Sequence, residues 1–127
     1  MNILATIGSG VVAFMIGALW YSVLFGKIWM KEVGITEEDV KESNGGAVPM
    51  IATLLIEIAV AFLVAFMITQ SQLSVFYSGI LIAGIAILSA LKNYLFEQRS
   101  IKLIVINESY KFICIMIMTS SIYFFGK

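Results

Sequence analysis

The chain of 127 residues lacks several side chains on which catalytic and metal sites depend: it has no histidine, one cysteine and one proline. Without histidine and with a single thiol, the usual zinc, haem and Cys/His catalytic sets cannot be assembled, and no disulfide can form within the chain. No serine–base or paired-aspartate arrangement replaces them. We therefore expect no enzymatic activity, no catalytic residue, no metal site and no cofactor, and a buried structural role for Cys114.

Charged side chains are also scarce, at 13% of residues, whereas hydrophobic residues make up 61% and the mean hydropathy is +1.01. Soluble domains are typically about 45–50% apolar and about 25% charged. The formal net charge is zero, so no basic field would attract nucleic acid. The composition predicts an integral membrane protein whose main partner is the lipid bilayer.

Four long apolar segments follow one another, and none alternates as a β-barrel strand would. Each is long enough to cross a hydrocarbon core of about 30 Å as a helix, which satisfies its own backbone hydrogen bonds in lipid. The N-terminus lacks the basic region of a signal peptide, so the first segment is expected to be a retained crossing. We predict an all-α fold, a single transmembrane domain (1–127) forming an antiparallel up-down-up-down four-helix bundle, with helices at 3–25, 48–69, 75–96 and 103–125.

The first connection, residues 26–47, holds eight charged residues. Thr36 followed by Glu37, Glu38 and Asp39 is typical of a helix N-terminus. The glycine pair 45–46 would end that helix, so we expect a short amphipathic helix in this connection. The only proline, Pro49, stands at the start of the second crossing, where its missing N–H is tolerated.

The basic residues lie mostly on one side of the predicted bundle. The two charged connections hold Lys27, Lys31, Lys41, Arg99 and Lys102, and the opposite side holds only Lys127. The positive-inside bias then predicts cytoplasmic charged loops and external N- and C-termini. The aromatic residues at the inner level, Trp20, Tyr21 and Trp29, are interpreted as interfacial anchors.

Small residues recur at a spacing of four in three of the predicted helices. Such faces let helix backbones approach closely in lipid. They fit either contacts inside one bundle, which we favour, or the seam of a homo-oligomer. The residues are Ser9, Ala13 and Gly17, then Ala61 and Ala65, then Gly79, Ala83, Ala86 and Ala90.

Ionisable residues at membrane depth form the candidate site. Glu57 lies about 13 Å from the cytoplasmic boundary and Lys111 about 12 Å, at ~1.5 Å of rise per residue. Because an unpaired charge there costs at least about 2.5–3.5 kcal/mol, we predict a Glu57–Lys111 ion pair. Asn107 and Glu108 share a helix face with Lys111, and Lys92 is a second partner for Glu108. The network is either a packing lock or a polar site in a solute or proton path, and the sequence leaves both open.

Two stretches resemble the signatures of a known family. The first comprises Gly17-Ala18-Leu19-Trp20-Tyr21-Ser22, Phe25-Gly26-Lys27, Trp29-Met30-Lys31 and Gly34-Ile35-Thr36-Glu37-Glu38; the second comprises Leu95-Phe96-Glu97, Arg99, Leu103, Ile106-Asn107 and Tyr110. Both are similar to the DUF1761 family of small four-helix membrane proteins. The resemblance implies four crossings and a location in the plasma membrane of a bacterium or archaeon, but it supplies no mechanism and no catalytic residue. Within these signatures, Gly17 and Gly26 are expected to bracket a helix end, and Glu97 and Arg99 to pair across a turn.

The sequence is compatible with two functions. The first is a small transport or permeation protein, expected to be a homo-oligomer because one four-helix chain encloses little volume. The second is a structural or accessory protein that binds another membrane protein or lipid, with its ion pair serving only helix packing. No substrate and no protein partner can be named from the sequence.

Overall fold

The computed structural model describes residues 1–42 and 47–126, and every regular element within these ranges is helical. In chain order the elements are α1 (Ile3–Leu19), a π-helical turn (Trp20–Leu24), α2 (Gly26–Val33), α3 (Glu37–Glu42), α4 (Ala47–Gln70), α5 (Val75–Glu97) and α6 (Ile101–Phe125). Helices α4, α5 and α6 begin and end within two residues of the predicted ranges, and α1 reaches within one residue of the predicted end only when the π-helical turn is included. The expected helix stop at residues 45–46 and the basic residue Lys127 lie outside the described residues.

Three of these helical segments are long and apolar enough to cross a membrane: Ile3–Leu24, Ala47–Gln70 and Val75–Glu97. Large apolar side chains on all three remain exposed in the isolated chain, as lipid-facing residues would; Leu4, for example, is 83% exposed. Helix α6 has 25 residues but is not among the three. It carries both Glu108 and Lys111 within its apolar sequence.

Helix α1 packs closely against α4 because small residues line their contact. Ser9 and Ala13 on α1 and Ala61 and Ala65 on α4 are all buried. At Gly10 the two backbones nearly touch, since a Cβ placed there would lie 2.8 Å from Ile58 Cα. The small-residue faces thus serve packing within one chain at these positions, which is the interpretation that the sequence favoured.

Helix α6 contacts both α5 and α1 along its length. Gly79 of α5 faces the fully buried Thr119 of α6, whose Cγ2 would lie 2.6 Å from a Cβ at that glycine. On the other side, the hydroxyl of Ser121 donates to Ala5 O at 3.1 Å, and that of Tyr110 donates to Ala13 O at 2.8 Å. Residue numbers therefore rise along α1 as they fall along α6.

The hydrophobic core cluster lies mostly in one half of the described molecule. Its buried members lie in the C-terminal halves of α4 and α6 and at the start of α5: Ala61, Val64, Ala65, Ile68, Val75, Cys114, Met118 and Ile122, joined by Ala13 of α1. All lie toward the termini and the short turn between α4 and α5. The other half, next to the charged connections, is filled less completely, and the candidate site lies there.

The charged connection holds two helices rather than the single one predicted. Helix α2 follows the π-helical turn directly and ends at Gly34, whose φ of 89° is left-handed and suits glycine. Thr36 then begins α3: its Oγ1 accepts from Asp39 N at 3.1 Å, and its own N–H donates to Asp39 Oδ2 at 2.9 Å. This reciprocal cap is the feature that the sequence of α3 predicts.

Candidate functional site

A cleft of about 760 Å³ opens between the helices in the half of the molecule next to the charged connections. We call it the α4–α6 cleft, after the helices that supply most of its wall. Glu57 lies ten residues after the start of α4, and Lys111 lies ten residues after the start of α6. At ~1.5 Å of rise per residue both lie about 15 Å along their helices. The lining comprises Tyr21, Trp29, Thr53, Glu57, Val60, Ala86, Tyr94, Asn107, Glu108, Tyr110, Lys111, Cys114 and Ile115.

The π-helical turn after α1 brings two successive aromatic residues to α6. Trp20 Nε1 donates to Ile106 O at 2.9 Å, and the Tyr21 hydroxyl donates to Asn107 Oδ1 at 2.8 Å. In a regular α-helix, neighbouring side chains point about 100° apart, so the wider turn helps both to reach one partner helix. Gly26 closes the turn, because a Cβ there would lie 2.8 Å from Tyr21 O.

Glu108 is the most enclosed charged group of the cleft. The residue is 7% exposed, and both carboxylate oxygens have a donor. Lys111 Nζ donates to Oε1 at 2.9 Å, and the Tyr94 hydroxyl donates to Oε2 at 2.8 Å. The tyrosine lies on α5, so this cluster joins α5 to α6 with every strong acceptor occupied.

Glu57 has a different environment. It is half-buried on the cleft wall, and its carboxylate makes no hydrogen bond or ion pair with any described residue. The predicted Glu57–Lys111 pair is wrong, since Lys111 pairs with Glu108 one turn away on its own helix. Lys92 is exposed and does not line the cleft, so it supplies no partner to Glu108 either. The rise per residue thus predicts the positions of Glu57 and Lys111 along their helices, but not the directions in which they point around the helix axes.

Four aromatic residues line the cleft, and the sequence analysis assigned none of them to a site. Tyr21 lies between Trp29 and Tyr110, with ring centroids 5.4 and 5.5 Å away and both contacts edge-to-face. Tyr94 completes the set from α5. Trp20 lies outside the lining but contacts Tyr110 with centroids 6.1 Å apart. Tyr21 and Trp29, which the sequence analysis interprets as interfacial anchors, thus both line the cleft.

The sequence does contain a signal that places Tyr110 in the site. Asn107, Tyr110, Lys111 and Cys114 recur at spacings of three and four, which places them on one face of α6, and all four line the cleft. Gly17 supports this face from α1, because a Cβ there would lie 2.9 Å from Tyr110 Cζ. Glu97 and Arg99, the signature residues expected to pair across a turn, do not line the cleft. They form an exposed pair at the end of α5, with Arg99 Nη2 3.6 Å from Glu97 Oε1.

Chemically, the cleft offers one unpartnered carboxylate, one satisfied carboxylate–ammonium pair and a largely aromatic and apolar wall. Among the described residues no group of three or more Asp, Glu, Cys or His side chains could hold a metal ion. The chain shows no match to a curated protein or to a solved structure. A family model does match: residues 4–123 fit DUF1761, described as a protein of unknown function, and the chain therefore belongs to the DUF1761 family.

Proposed function

We propose that this protein is a small transport or permeation protein of the plasma membrane, in which solute enters the α4–α6 cleft and meets Glu57. The unpartnered Glu57 carboxylate is the observation that carries the proposal. A buried or half-buried charge in a packing lock has its partner, as Glu108 does, because leaving it alone is costly. A carboxylate without a partner, on the wall of a cavity, suits a group that binds and releases something.

The cleft has the dimensions of a solute site. Ligand pockets for small molecules typically enclose about 300–1,000 Å³ and combine an apolar wall with few polar groups. Thr53, an exposed residue one turn before Glu57, lies at the edge of the lining. We place the entry of solute at this residue.

The proposal includes a fourth crossing by α6, with charged connections in the cytoplasm and both termini outside. At ~1.5 Å of rise per residue, 25 residues extend about 37 Å, which exceeds a ~30 Å hydrocarbon core. The two ionisable residues in the apolar sequence of α6, Glu108 and Lys111, line the cleft, which is where intramembrane charges belong. Labelling single cysteines with an impermeant maleimide in intact cells tests this, in a Cys114→Ser background. Asn2→Cys and Ser71→Cys should label and Thr36→Cys should not.

We also propose a homo-oligomer and no enzymatic role. Core residues such as Cys114 bound the α4–α6 cleft at one end, so a continuous path through one chain needs either a helix movement or a second copy. Cross-linking in native membranes, followed by mass measurement of the purified protein in detergent, tests the assembly.

Flux through proteoliposomes tests the function directly. Vesicles with the full chain receive a pH gradient and a panel of organic cations, organic anions and neutral solutes, and transport currents are recorded on a solid-supported membrane. We expect a signal for at least one class, lost in Glu57→Gln and retained in Glu38→Gln, which removes an exposed carboxylate of α3 far from the cleft. Full flux in Glu57→Gln, or no flux for any class, would contradict the proposal.

The alternative, a structural or accessory role, is favoured by one observation. In the Tyr94–Glu108–Lys111 cluster, which joins α5 to α6, each Glu108 oxygen accepts a hydrogen bond from another member of the cluster. We assign it to packing, whichever function the cleft has. If Glu57→Leu stabilises the purified protein and leaves flux and assembly unchanged, the accessory role replaces transport.

A further inference from the structure

We infer that the ligand of the α4–α6 cleft is a hydrophobic organic cation, held by the Glu57 carboxylate among the aromatic residues of the wall. This inference rests on the proposed function for the use of the site, but its own basis is the chemistry of the lining. The charge and the aromatic content of the lining both support it.

The formal charge of the cleft is negative. It contains two carboxylates, Glu57 and Glu108, and one ammonium group, Lys111. The ammonium group already donates to Glu108 at 2.9 Å, so the charge that is left over belongs to Glu57. An anion at Lys111 would lie close to the Glu108 carboxylate that this lysine already binds, and like-charge repulsion in a poorly hydrated site opposes this.

Several polar groups of the wall already make hydrogen bonds with other described residues. Asn107 Oδ1 accepts from Tyr21, and the Thr53 hydroxyl donates to Pro49 O at 2.7 Å. The Tyr110 and Tyr94 hydroxyls donate to Ala13 O and Glu108, each at 2.8 Å. These bonds fix the wall around Glu57, whose carboxylate makes none with the described residues.

The aromatic wall complements a cation with an apolar body. Tyr21, Trp29, Tyr94 and Tyr110 line the same cleft as Glu57, and aromatic faces attract cations by about 0.5–1 kcal/mol when exposed and about 2 when desolvated. Since the three tyrosine hydroxyls are engaged by the framework, what these residues still offer is ring surface. A quaternary ammonium or phosphonium ion needs only this, because it donates no hydrogen bonds.

A proton is the natural competitor of such a cation at Glu57. When the cation leaves, the carboxyl group can take up a proton, and when the cation returns the proton must be released. The groups that surround Glu57 in the cleft are Glu108, Lys111, Tyr110 and Cys114 on α6, Tyr94 on α5 and Tyr21 after α1. Of these, only Glu57 is a carboxylate without a partner, so cation affinity should rise with pH through the titration of that single group.

Binding to the purified full-length protein tests the inference, with tetraphenylphosphonium as the probe and tetraphenylborate as its anion of the same shape. Affinity is read from quenching of Trp29 fluorescence in a Trp20→Phe background and checked by calorimetry. We expect saturable binding of the phosphonium that weakens at least tenfold in Glu57→Gln and loses its rise with pH. Glu38→Gln should match the unsubstituted protein, and the borate should show no saturable binding.

A second variant keeps the test decisive if Glu57→Gln folds poorly. Thr53→Arg changes an exposed position on the cleft edge and places a tethered cation one turn from Glu57, so it should block the phosphonium without a large loss of stability. Equal binding in both variants and the unsubstituted protein, or equal binding of borate and phosphonium, would overturn the inference. Glu57-dependent flux of an anion or neutral solute would also overturn the inference of a cationic ligand, but it would support the transport proposal. If the cation binds but no flux is detected, the transport proposal is refuted and the cation site stands.

Discussion

The contact of Gly10 with α4 gives a sharp prediction about packing, because this glycine lies against the backbone that carries Glu57. A Cβ at position 10 would lie 2.8 Å from Ile58 Cα, 3.0 Å from Glu57 O and 3.1 Å from Ile58 N. Carbon atoms pack best at about 3.5–4.0 Å, so Gly10→Ala must push the two helices apart by roughly 0.5–1 Å. None of the three atoms is the end of a flexible side chain that could move instead.

The magnitude follows from two opposing contributions. Overpacking a tight contact typically costs about 1–3 kcal/mol. Replacing glycine by alanine inside a helix returns about 0.5–1 kcal/mol through backbone entropy. We therefore expect Gly10→Ala to lower the free energy of unfolding by up to about 2 kcal/mol. Gly8→Ala is the matched control on the same helix, since nothing lies within 4 Å of its added Cβ; this variant should be neutral or more stable by up to about 1 kcal/mol.

Circular dichroism of the purified variants during unfolding by SDS measures both values under identical conditions. The difference between the two alanine variants should be about 1–3 kcal/mol, because the helix-propensity contribution cancels and the contact remains. Gly10→Ala should also weaken any function of Glu57, whose backbone it displaces. If Gly10→Ala is as stable as Gly8→Ala, the close approach of α1 and α4 does not exist and the position of Glu57 is not set by this contact.

Three further substitutions test the polar groups. Tyr94→Phe should destabilise the protein by about 1.5–3 kcal/mol in SDS titration, since it removes a hydrogen bond to the buried Glu108 carboxylate; Tyr77→Phe, an exposed tyrosine with no such bond, should change little, and equal values would refute the assignment. Lys111→Met should cost a similar amount, about 1.5–3 kcal/mol, with Glu108→Gln in the same chain recovering part of it in a double-mutant cycle. Arg99→Ala should change stability by less than about 1 kcal/mol, because its ion pair is exposed to solvent, and a larger thermal shift would contradict this.

The two carboxylates of the cleft have different environments, and we assign them different roles. Glu108 has both oxygens bonded and joins α5 to α6, whereas Glu57 lines the same cleft without a partner. The two interpretations that the sequence left open, a packing lock and a ligand site, are thus proposed for different residues. Substitutions at Glu108 should act mainly on stability, and substitutions at Glu57 mainly on binding and flux.

The sequence alone determined the helical segments, because the length and apolarity of a membrane-compatible helix are local properties that need no knowledge of neighbours. It also determined the start of α3, where Thr36 and Asp39 cap each other across three residues. The depths of Glu57 and Lys111 follow in the same way, since the rise per residue is constant. Even the face of α6 that lines the cleft is readable from the spacing of Asn107, Lys111 and Cys114.

Only the tertiary structure decided which side chains meet. The rotation of one helix against another depends on contacts such as Gly10 with Ile58, and a small change in rotation separates two residues of equal depth. For this reason the Glu57–Lys111 pair was wrong, although both residues line one cleft. The π-helical turn that brings Tyr21 to Asn107 is likewise stabilised by its contacts with α6, and no local sequence pattern predicts it.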